Sequence, residues 1–258
     1  MLKNTGENSY IQVKLRIICH IKTMQVSKKK CREKCGQETF ILRDFVLVTG
    51  IVLKTGNLGE YDRRLVLLTK ERGKITVFAR GARRQNSRFM AACTPLSFGE
   101  FKLYEGKSAY NLMDVSIKNY FEELRSNYME ACYGMYFLEI ADYYGRENND
   151  DTELLKLLYQ SLRALSSHRL DNRLIRSIYE VKAVCVNGEF PGIPDNGGFL
   201  ASTVYTIRYI ESSSIEKLYT FTVSEEVLSE LSQIAEKMRL RYIGGNFKSL
   251  SILEEMEL

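Results

Sequence analysis

The hydrophobic period of this chain changes once, near residue 122, and this change limits the possible folds more than any other feature. Before it, β-branched runs alternate apolar and polar side chains, as half-buried strands do. After it, apolar residues recur every three or four positions, as in amphipathic helices. The 258 residues therefore predict an α+β protein, with a β module at 45–121 followed by a helical module at 122–258.

Five short strands are predicted in the β module. They begin at Phe45, Tyr61, Lys74, Leu96 and Ala109. The third shows the clearest alternation, because Ile75, Val77 and Ala79 share one face while polar and aromatic residues occupy the other. Five short strands joined by brief glycine-containing turns are typical of a small closed barrel.

Helical spacing dominates the second module. Its apolar stripes lie at 124–143, 154–165, 170–185 and 227–238. Asp151 and Ser224 precede two of these stripes and are predicted N-caps, with a final helix beginning after Ser224. A loop-rich insert is predicted near 187–201. The β-branched run Thr203–Ile210 favours a strand by local propensity.

The formal net charge of +5, from 37 Lys+Arg and 32 Asp+Glu, hides a strong asymmetry. Residues 1–44 carry a net charge of +6, residues 45–121 carry +7, and residues 122–258 carry −8. A basic front half favours a polyanionic partner. The alternative is that these charges only solvate a surface.

Residues 1–44 are predicted to be a poorly ordered basic extension. The segment Ser27–Gly36 is a block of like charges, which is usually solvated. The apolar run Val13–Ile21 is too short and too charged for a secretory signal. Two alternatives remain: a basic arm that binds nucleic acid, or a true translation start nearer residue 42.

An acid-free segment between the third and fourth strands is the strongest candidate for binding phosphate. Gly81–Met90 holds three arginines and no carboxylate, and the guanidinium group can grip phosphate through two parallel hydrogen bonds. Phe78 is either a base-stacking residue or ordinary hydrophobic cover. Tyr61 is a candidate for base stacking. The predicted phosphate contacts are Lys54, Arg63, Arg64, Lys70, Lys74, Arg80, Arg83, Arg84, Arg88 and Lys102.

Signatures of catalysis, metal binding and membrane insertion are absent. There is no nucleotide-binding Gly-rich loop and no nucleophile elbow, and neither His20 nor His168 has a plausible catalytic setting. The six cysteines are scattered, which favours a reducing cytosol. Cys31 and Cys35 are the one near pair, and two thiolates do not complete a zinc site. We therefore expect no enzyme activity, cofactor or metal, and no uncharged run is long enough to span a membrane.

Several segments, in order, resemble the bacterial RecO family of DNA repair proteins. They cover about residues 45–254 and are Val48–Arg63, Leu67–Thr76, Ala79–Arg84, Ser87–Arg88, Leu96–Phe101, Tyr104–Gly106, Ser224–Leu228, Arg241–Gly244 and Lys248–Ser249. The resemblance implies an N-terminal five-stranded OB-fold barrel and a helical C-terminal domain. It also implies a helix at Thr203–Ile210 with Ser202 as its cap.

The same resemblance implies a function without covalent chemistry. Members of this family bind single- and double-stranded DNA, anneal complementary strands, and load recombinase with RecR on DNA coated with single-strand-binding protein. A cytoplasmic, nucleoid-associated location follows. Many members carry a four-cysteine zinc site, but the matching stretch here keeps only Cys185, so no zinc is predicted. Residues 1–44 have no counterpart in the family.

The acidic helical module is expected to bind proteins. An apolar groove ringed by arginines could take the acidic tail of single-strand-binding protein, with Arg173, Arg176, Arg239 and Arg241 as candidates. One rival hypothesis is a non-enzymatic scaffold whose basic barrel binds a protein partner. Another is an enzyme acting on nucleic acid, which lacks the carboxylate cluster that metal-dependent nucleases need.

Overall fold

The computed structural model of the chain describes residues 45–106, 109–193 and 198–256. The expectations for residues 1–44, including the basic arm and the pair Cys31 and Cys35, lie outside these residues. Five strands come first: β1 (Phe45–Leu58), β2 (Asp62–Thr69), β3 (Gly73–Ala79), β4 (Phe98–Glu105) and β5 (Tyr110–Asn119). Helices follow: α1 (Glu122–Ser126), α2 (Tyr128–Tyr144), α3 (Thr152–Ser167), α4 (Asn172–Val186), α5 (Ala201–Ser212), α6 (Glu225–Tyr242) and α7 (Lys248–Met256).

The five strands close into a barrel in the order β1-β2-β3-β5-β4. All neighbours are antiparallel except β3 and β5. The long β1 pairs with β4 along its first half and with β2 along its second, and its pairing with β2 is irregular between Val52 and Lys54. The predicted barrel is confirmed. The first turn is shorter than expected, because β1 continues to Leu58 by pairing with Asp62.

The segment between β3 and β4 packs onto the barrel core. Ala82 and Cys93 are fully buried in the same cluster as Leu65 and Phe101, and Phe89 packs against that cluster. This apolar anchoring holds the intervening arginines in place on the outside of the barrel.

The helices confirm most of the predicted pattern, with two corrections. Ser224 is the N-cap of α6, and its side chain accepts a hydrogen bond from the Val227 backbone amide. Ser202 is not the N-cap of α5. It lies inside this helix, which begins at Ala201 with Leu200 at the N-cap position. A further helix, α7, follows α6, so α6 is not the last.

Tertiary packing decides the conformation of residues 203–210. Local propensity favours a strand there, yet the segment is helical within α5. Ile207 and Ile210 are fully buried in the main helical core, and Thr203 is buried on the same side. A helix places these three side chains on one face, whereas a strand would split them between two faces.

Helix α2 docks against the barrel through its C-terminal end. The Asp142 carboxylate lies 2.6 Å from the Lys54 ammonium and 3.4 Å from that of Lys74. Lys74 also donates to the Asp142 carbonyl at 2.6 Å, and its backbone amide donates to the Arg146 carbonyl at 2.9 Å. Apolar residues of both modules, Leu53 and Leu68 among them, share one core with the helices.

Three carboxylates of the helical module are buried, those of Glu130, Asp151 and Glu180, although we expected its carboxylates to lie on solvated faces. Asp151 accepts hydrogen bonds from the Arg146 backbone amide at 3.0 Å and from the Asn149 side chain at 2.7 Å. Glu180 accepts hydrogen bonds from the Tyr136 hydroxyl at 2.6 Å and from Arg176 Nε at 3.0 Å. Glu130 Oε1 lies 2.6 Å from His168 Nδ1. These buried carboxylates are tolerated because each has a polar or charged partner.

Candidate nucleic-acid interface

The outward side of β3 presents polar and aromatic residues in a single row. Lys74, Thr76, Phe78 and Arg80 alternate with residues buried in the barrel, so at the usual strand rise the row is about 20 Å long. On the neighbouring strand Arg64 lies directly opposite Phe78. We call the surface formed by Arg64, Lys74, Thr76 and Phe78 the β2–β3 face.

One end of this face meets a group of arginines around Tyr61. The Arg83 amide donates to the Tyr61 carbonyl at 2.8 Å, and Arg83 Nη1 donates to the Gly59 carbonyl at 3.0 Å. The Arg84 guanidinium lies 5.3 Å from the centroid of the Tyr61 ring, and this ring is 50% exposed. We call Tyr61, Arg80, Arg83 and Arg84 the arginine rim.

Three of the predicted cations have free side chains. Among the described residues, Arg64, Arg80 and Lys70 are exposed, and no side-chain hydrogen bond, ion pair or aromatic ring contact holds them. Such groups can bind phosphate without first breaking a contact within the protein. Arg80 belongs to the arginine rim and Arg64 lies near it, whereas Lys70 lies in the turn between β2 and β3, at the opposite end of these strands.

Lys54 and Lys74 are held by Asp142. The Lys74 side chain is only 26% exposed and contacts both the carboxylate and the carbonyl of Asp142, so it contributes to docking α2. The Lys54 side chain is 53% exposed and is therefore more accessible than that of Lys74.

Arg63 points towards the segment that follows β3, away from the β2–β3 face. Its Nη1 donates to the Cys93 carbonyl at 2.7 Å, while its Nε is buried with no hydrogen-bond partner among the residues that the structure describes. Burial raises the pKa of the Cys93 thiol to about 11, and the charge of Arg63 offsets part of this effect. Since β2 alternates and Leu65 faces the core, Arg63 lies on the barrel side and is placed as a structural residue.

Arg88 is held against β5, and Lys102 lies on β4 beside the start of β1. Arg88 donates to the Met113 carbonyl at 2.7 Å and forms an ion pair with Asp114 at 3.3 Å. The Lys102 ammonium lies 4.0 Å from the centroid of the Phe45 ring. Both cations are thus engaged by residues outside the β2–β3 face, and a DNA contact at these positions stays a prediction.

Arg146 was not among the predicted contacts, yet it lines a cleft beside the β2–β3 face. The cleft has a volume of about 420 Å³ and lies between this face and the end of α2. Lys54, Arg64 and Lys74 also line it, together with Asp142 and Glu147. Arg146 was missed because it belongs to the acidic module, whose net charge gives no signal for a single basic residue.

The four arginines predicted to bind a protein partner do not form one open group. Arg173 is paired with Asp171 and Glu225, each at 3.0 Å. Arg176 is held by the buried Glu180. Arg239 is buried, and Arg241 is exposed with its guanidinium 5.3 Å from the centroid of the Tyr242 ring. A partner contact at these positions stays a prediction.

The described part of the chain contains neither a metal-binding cluster nor a membrane-spanning helix. Over the three described ranges, no cluster of three His, Cys, Asp or Glu side chains could hold a metal ion. Within the same ranges, no helix combines the length and the apolar character needed to cross a membrane.

Comparison with known families gives matches to both modules. The model for the N-terminal domain of recombination protein O matches residues 44–121, and the model for its C-terminal domain matches residues 125–193. Together these ranges cover more than half of the chain and include every residue of the arginine rim.

Curated relatives are similar over most of their length. DNA repair protein RecO of Acetivibrio thermocellus is 25% identical over 246 residues, which span 83% of this chain and 98% of the relative. The protein of the same name from Clostridium novyi is 27% identical, covering 80% and 93% of the two chains. That from Bacillus subtilis is 26% identical, covering 81% and 93%.

Proposed function

The chain belongs to the RecO family of DNA repair and recombination proteins, and from this premise we propose that its barrel binds single- and double-stranded DNA and anneals complementary strands. In this proposal it also assists recombinase loading together with RecR on DNA coated with single-strand-binding protein. The arginine rim is the observation that carries the proposal.

The rim supports DNA binding through the exposure and spacing of its charges. Arg80, Arg83 and Arg84 project from one end of the barrel with no carboxylate among the intervening residues. Each phosphate neutralised by such a group releases condensed counterions, which makes binding favourable at low salt and tolerant of sequence. The exposed Tyr61 ring, already in contact with Arg84, offers a surface on which an unpaired base can stack.

Annealing follows from the same surface without a covalent step. Two complementary strands repel each other through their phosphates, and a shared cationic surface lowers this repulsion. Strands held side by side are then able to find their register. No residue of the chain is assigned a catalytic role.

The helical module is proposed to provide the contacts with RecR and single-strand-binding protein. Its net charge of −8 disfavours DNA over most of its surface. Proteins are therefore the more suitable partners for this module.

The proposal is tested by annealing two complementary fluorescent oligonucleotides, each coated with single-strand-binding protein, over a series of salt concentrations. We expect the protein to accelerate annealing at low salt and the acceleration to fade steeply as salt rises. No acceleration at low salt would contradict the annealing function.

A second candidate is a scaffold whose barrel binds a protein. It is favoured by three exposed apolar side chains on the side of Lys102, since Phe45, Leu47 and Met113 are 59%, 57% and 45% exposed. Apolar side chains left exposed in this way often mark protein interfaces. Binding to a partner protein that ignores salt, without any DNA binding, would favour this candidate.

A further inference from the structure

We propose that the cleft between the β2–β3 face and the end of α2 is a subsite selective for single strands, which holds one nucleotide of a bound strand. This inference rests on the proposed function, because it assumes that DNA lies on this side of the barrel. It identifies a binding site with named residues and gives a physical reason why this site favours single strands over duplexes.

The size of the cleft suits one nucleotide. Its volume of about 420 Å³ lies near the lower end of the range for small-ligand sites. The bases of a duplex are paired and stacked, so a duplex nucleotide would have to be pulled out of the stack at a cost of a few kcal/mol. A single strand pays no pairing cost, and the cleft therefore favours it.

Cationic side chains surround the opening on both sides. Arg64 lies on the barrel side, and among the described residues no hydrogen bond or ion pair holds its guanidinium. Arg146 lies on the helix side and uses Nη1 to donate to the carbonyls of Tyr143 and Gly145. A guanidinium has five N–H donors, so Arg146 keeps donors for a phosphate between the two arginines.

The floor of the cleft offers a surface for the rest of the nucleotide. Val66 and Thr76 line it and face each other across β2 and β3. No hydrogen bond in the described part of the chain engages the Thr76 hydroxyl, which leaves it available to a polar group of the ligand. Phe78 follows Thr76 on the same face and lies opposite Arg64, where its ring can contact a base.

Two carboxylates, those of Asp142 and Glu147, line the cleft and repel a bound phosphate. The four cations that also line the cleft outweigh this repulsion. Asp142 is already engaged by Lys54 and Lys74, so part of its charge is compensated. Lys54, Lys74 and the two arginines give four positive charges against two negative ones, and the balance favours one bound phosphate.

The test replaces both arginines with glutamine, which keeps a polar side chain of similar reach and removes the charge. The Arg64→Gln and Arg146→Gln double variant is compared with the unaltered protein by fluorescence anisotropy. The probes are a dye-labelled deoxythymidine oligonucleotide and a labelled duplex of equal length, at one fixed salt concentration. We expect the affinity for the single strand to fall about tenfold and that for the duplex to fall less than twofold.

Two further double variants serve as controls. Arg83→Ala with Arg84→Ala removes rim charges and is expected to weaken binding of both probes. Arg163→Ala with Arg169→Ala removes the same charge from the exposed surface of the helical module and is expected to weaken neither. If the glutamine variant melts at a lower temperature than the unaltered protein, Thr76→Val is used instead. This variant is expected to lose two- to threefold in affinity for the single strand and none for the duplex.

Equal losses for the two probes, or no loss for either, would overturn the subsite. Failure of the unaltered protein to bind either probe is a different pattern, which would overturn the proposed function and the subsite with it. Free deoxythymidine monophosphate is added as a competitor. If it displaces the oligonucleotide at an equal concentration of nucleotide units, the cleft takes small nucleotides and the proposal is wrong.

Discussion

At the scale of single residues, Asp142 controls how much of the β2–β3 face is open to a polyanion. Its carboxylate engages Lys54 and Lys74, the two lysines nearest the end of α2. Arg64, on the strand between them, keeps its charge free. Basic residues of similar appearance in the sequence thus divide into docking residues and available ones according to the position of one acid.

Replacing this acid is expected to strengthen DNA binding. Asp142→Asn removes a negative charge next to the face and frees Lys54, so we predict a gain in affinity for single strands of about two- to fivefold at low salt. Stability should fall by at most about 1 kcal/mol, because both ion pairs are partly exposed. Anisotropy titrations and urea unfolding measure the two effects.

The control for this prediction is Glu225→Gln, which removes the same charge from an exposed carboxylate of α6. Its DNA affinity should be unchanged. An equal gain in both variants would show that net charge alone, rather than the position of Asp142, sets the affinity.

Lys182 has a purely structural role. Its ammonium donates to the carbonyls of Ile210, Glu211 and Ser213 at 3.0, 2.8 and 2.8 Å, and it thereby satisfies the C-terminal end of α5. Burial lowers the pKa of Lys182, but the three carbonyl oxygens provide a polar environment for the charge.

Lys182→Met is predicted to destabilise the protein by about 2 kcal/mol, because it leaves buried carbonyl groups without a donor. Urea unfolding measures the loss. Lys156→Met, which removes one exposed ion pair, should cost less than about 0.5 kcal/mol. Similar stabilities for the two variants would contradict the capping role.

At the scale of elements, the turn between β2 and β3 joins the barrel to the segment after α2. Gly73 has a φ of +62°, and a Cβ atom there would lie 2.2 Å from the Arg146 carbonyl oxygen. The Asn148 amide donates to the Arg72 carbonyl at 3.0 Å beside it. This close approach of two backbones fixes α2 against β3.

Gly73→Ala should therefore lower stability by about 2 kcal/mol or more, through strain and through loss of this contact. Gly56→Ala is the matched control, because a Cβ atom at Gly56 meets nothing within 4 Å. Thermal unfolding of both variants makes the comparison. A Gly73 variant as stable as the Gly56 variant would show that the turn does not hold the helix.

Four tyrosines of the helical module have hydroxyl groups that are expected to resist ionisation. Burial raises the pKa of Tyr136, Tyr144, Tyr179 and Tyr219. A second cause acts on Tyr136, which donates to Glu180, and on Tyr144, which donates to Glu189 at 2.8 Å. In the unfolded chain these groups ionise near pH 10.

The difference in tyrosine pKa between the native and unfolded states sets the direction in which stability changes with pH. Above about pH 10 these tyrosines lose their protons in the unfolded state but keep them in the native state. Their contribution to the free energy of unfolding is therefore fully present below that pH and is lost as the pH rises further. We predict that tyrosinate absorbance from these four groups develops together with loss of helical circular dichroism. Ionisation of all tyrosines near pH 10 with the helices intact would contradict this.

At the scale of the whole molecule, local patterns predict the architecture but not the contacts between modules. The period change predicts a barrel followed by helices because burial of one face is a local property of each element. The alternation of β2 also carried the signal that Arg63 faces the barrel. The Lys54–Asp142 pair joins residues 88 positions apart, and no local pattern indicates such a pair.

The same contrast between local patterns and distant contacts holds for the residues predicted to bind DNA. Clustering in the sequence groups Arg80, Arg83 and Arg84, and the structure places them on one short segment anchored to the core, where DNA binding stays a prediction. It also groups Arg88 with them, although the chain has reached β5 by that residue and Arg88 contacts Met113 and Asp114 there. Arg146 approaches the face only through the docking of α2.

The central claim is that the arginine rim binds DNA phosphates, and the salt dependence of single-strand affinity tests it most directly. The slope of log affinity against log salt is measured for the unaltered protein, for a triple variant with Arg80, Arg83 and Arg84 changed to alanine, and for a control with Arg163, Arg169 and Arg208 changed to alanine. At about 0.7 per phosphate contact on a single strand, the rim variant should have a slope shallower by about 2, and the control should keep the original slope. An unchanged slope in the rim variant would contradict the account.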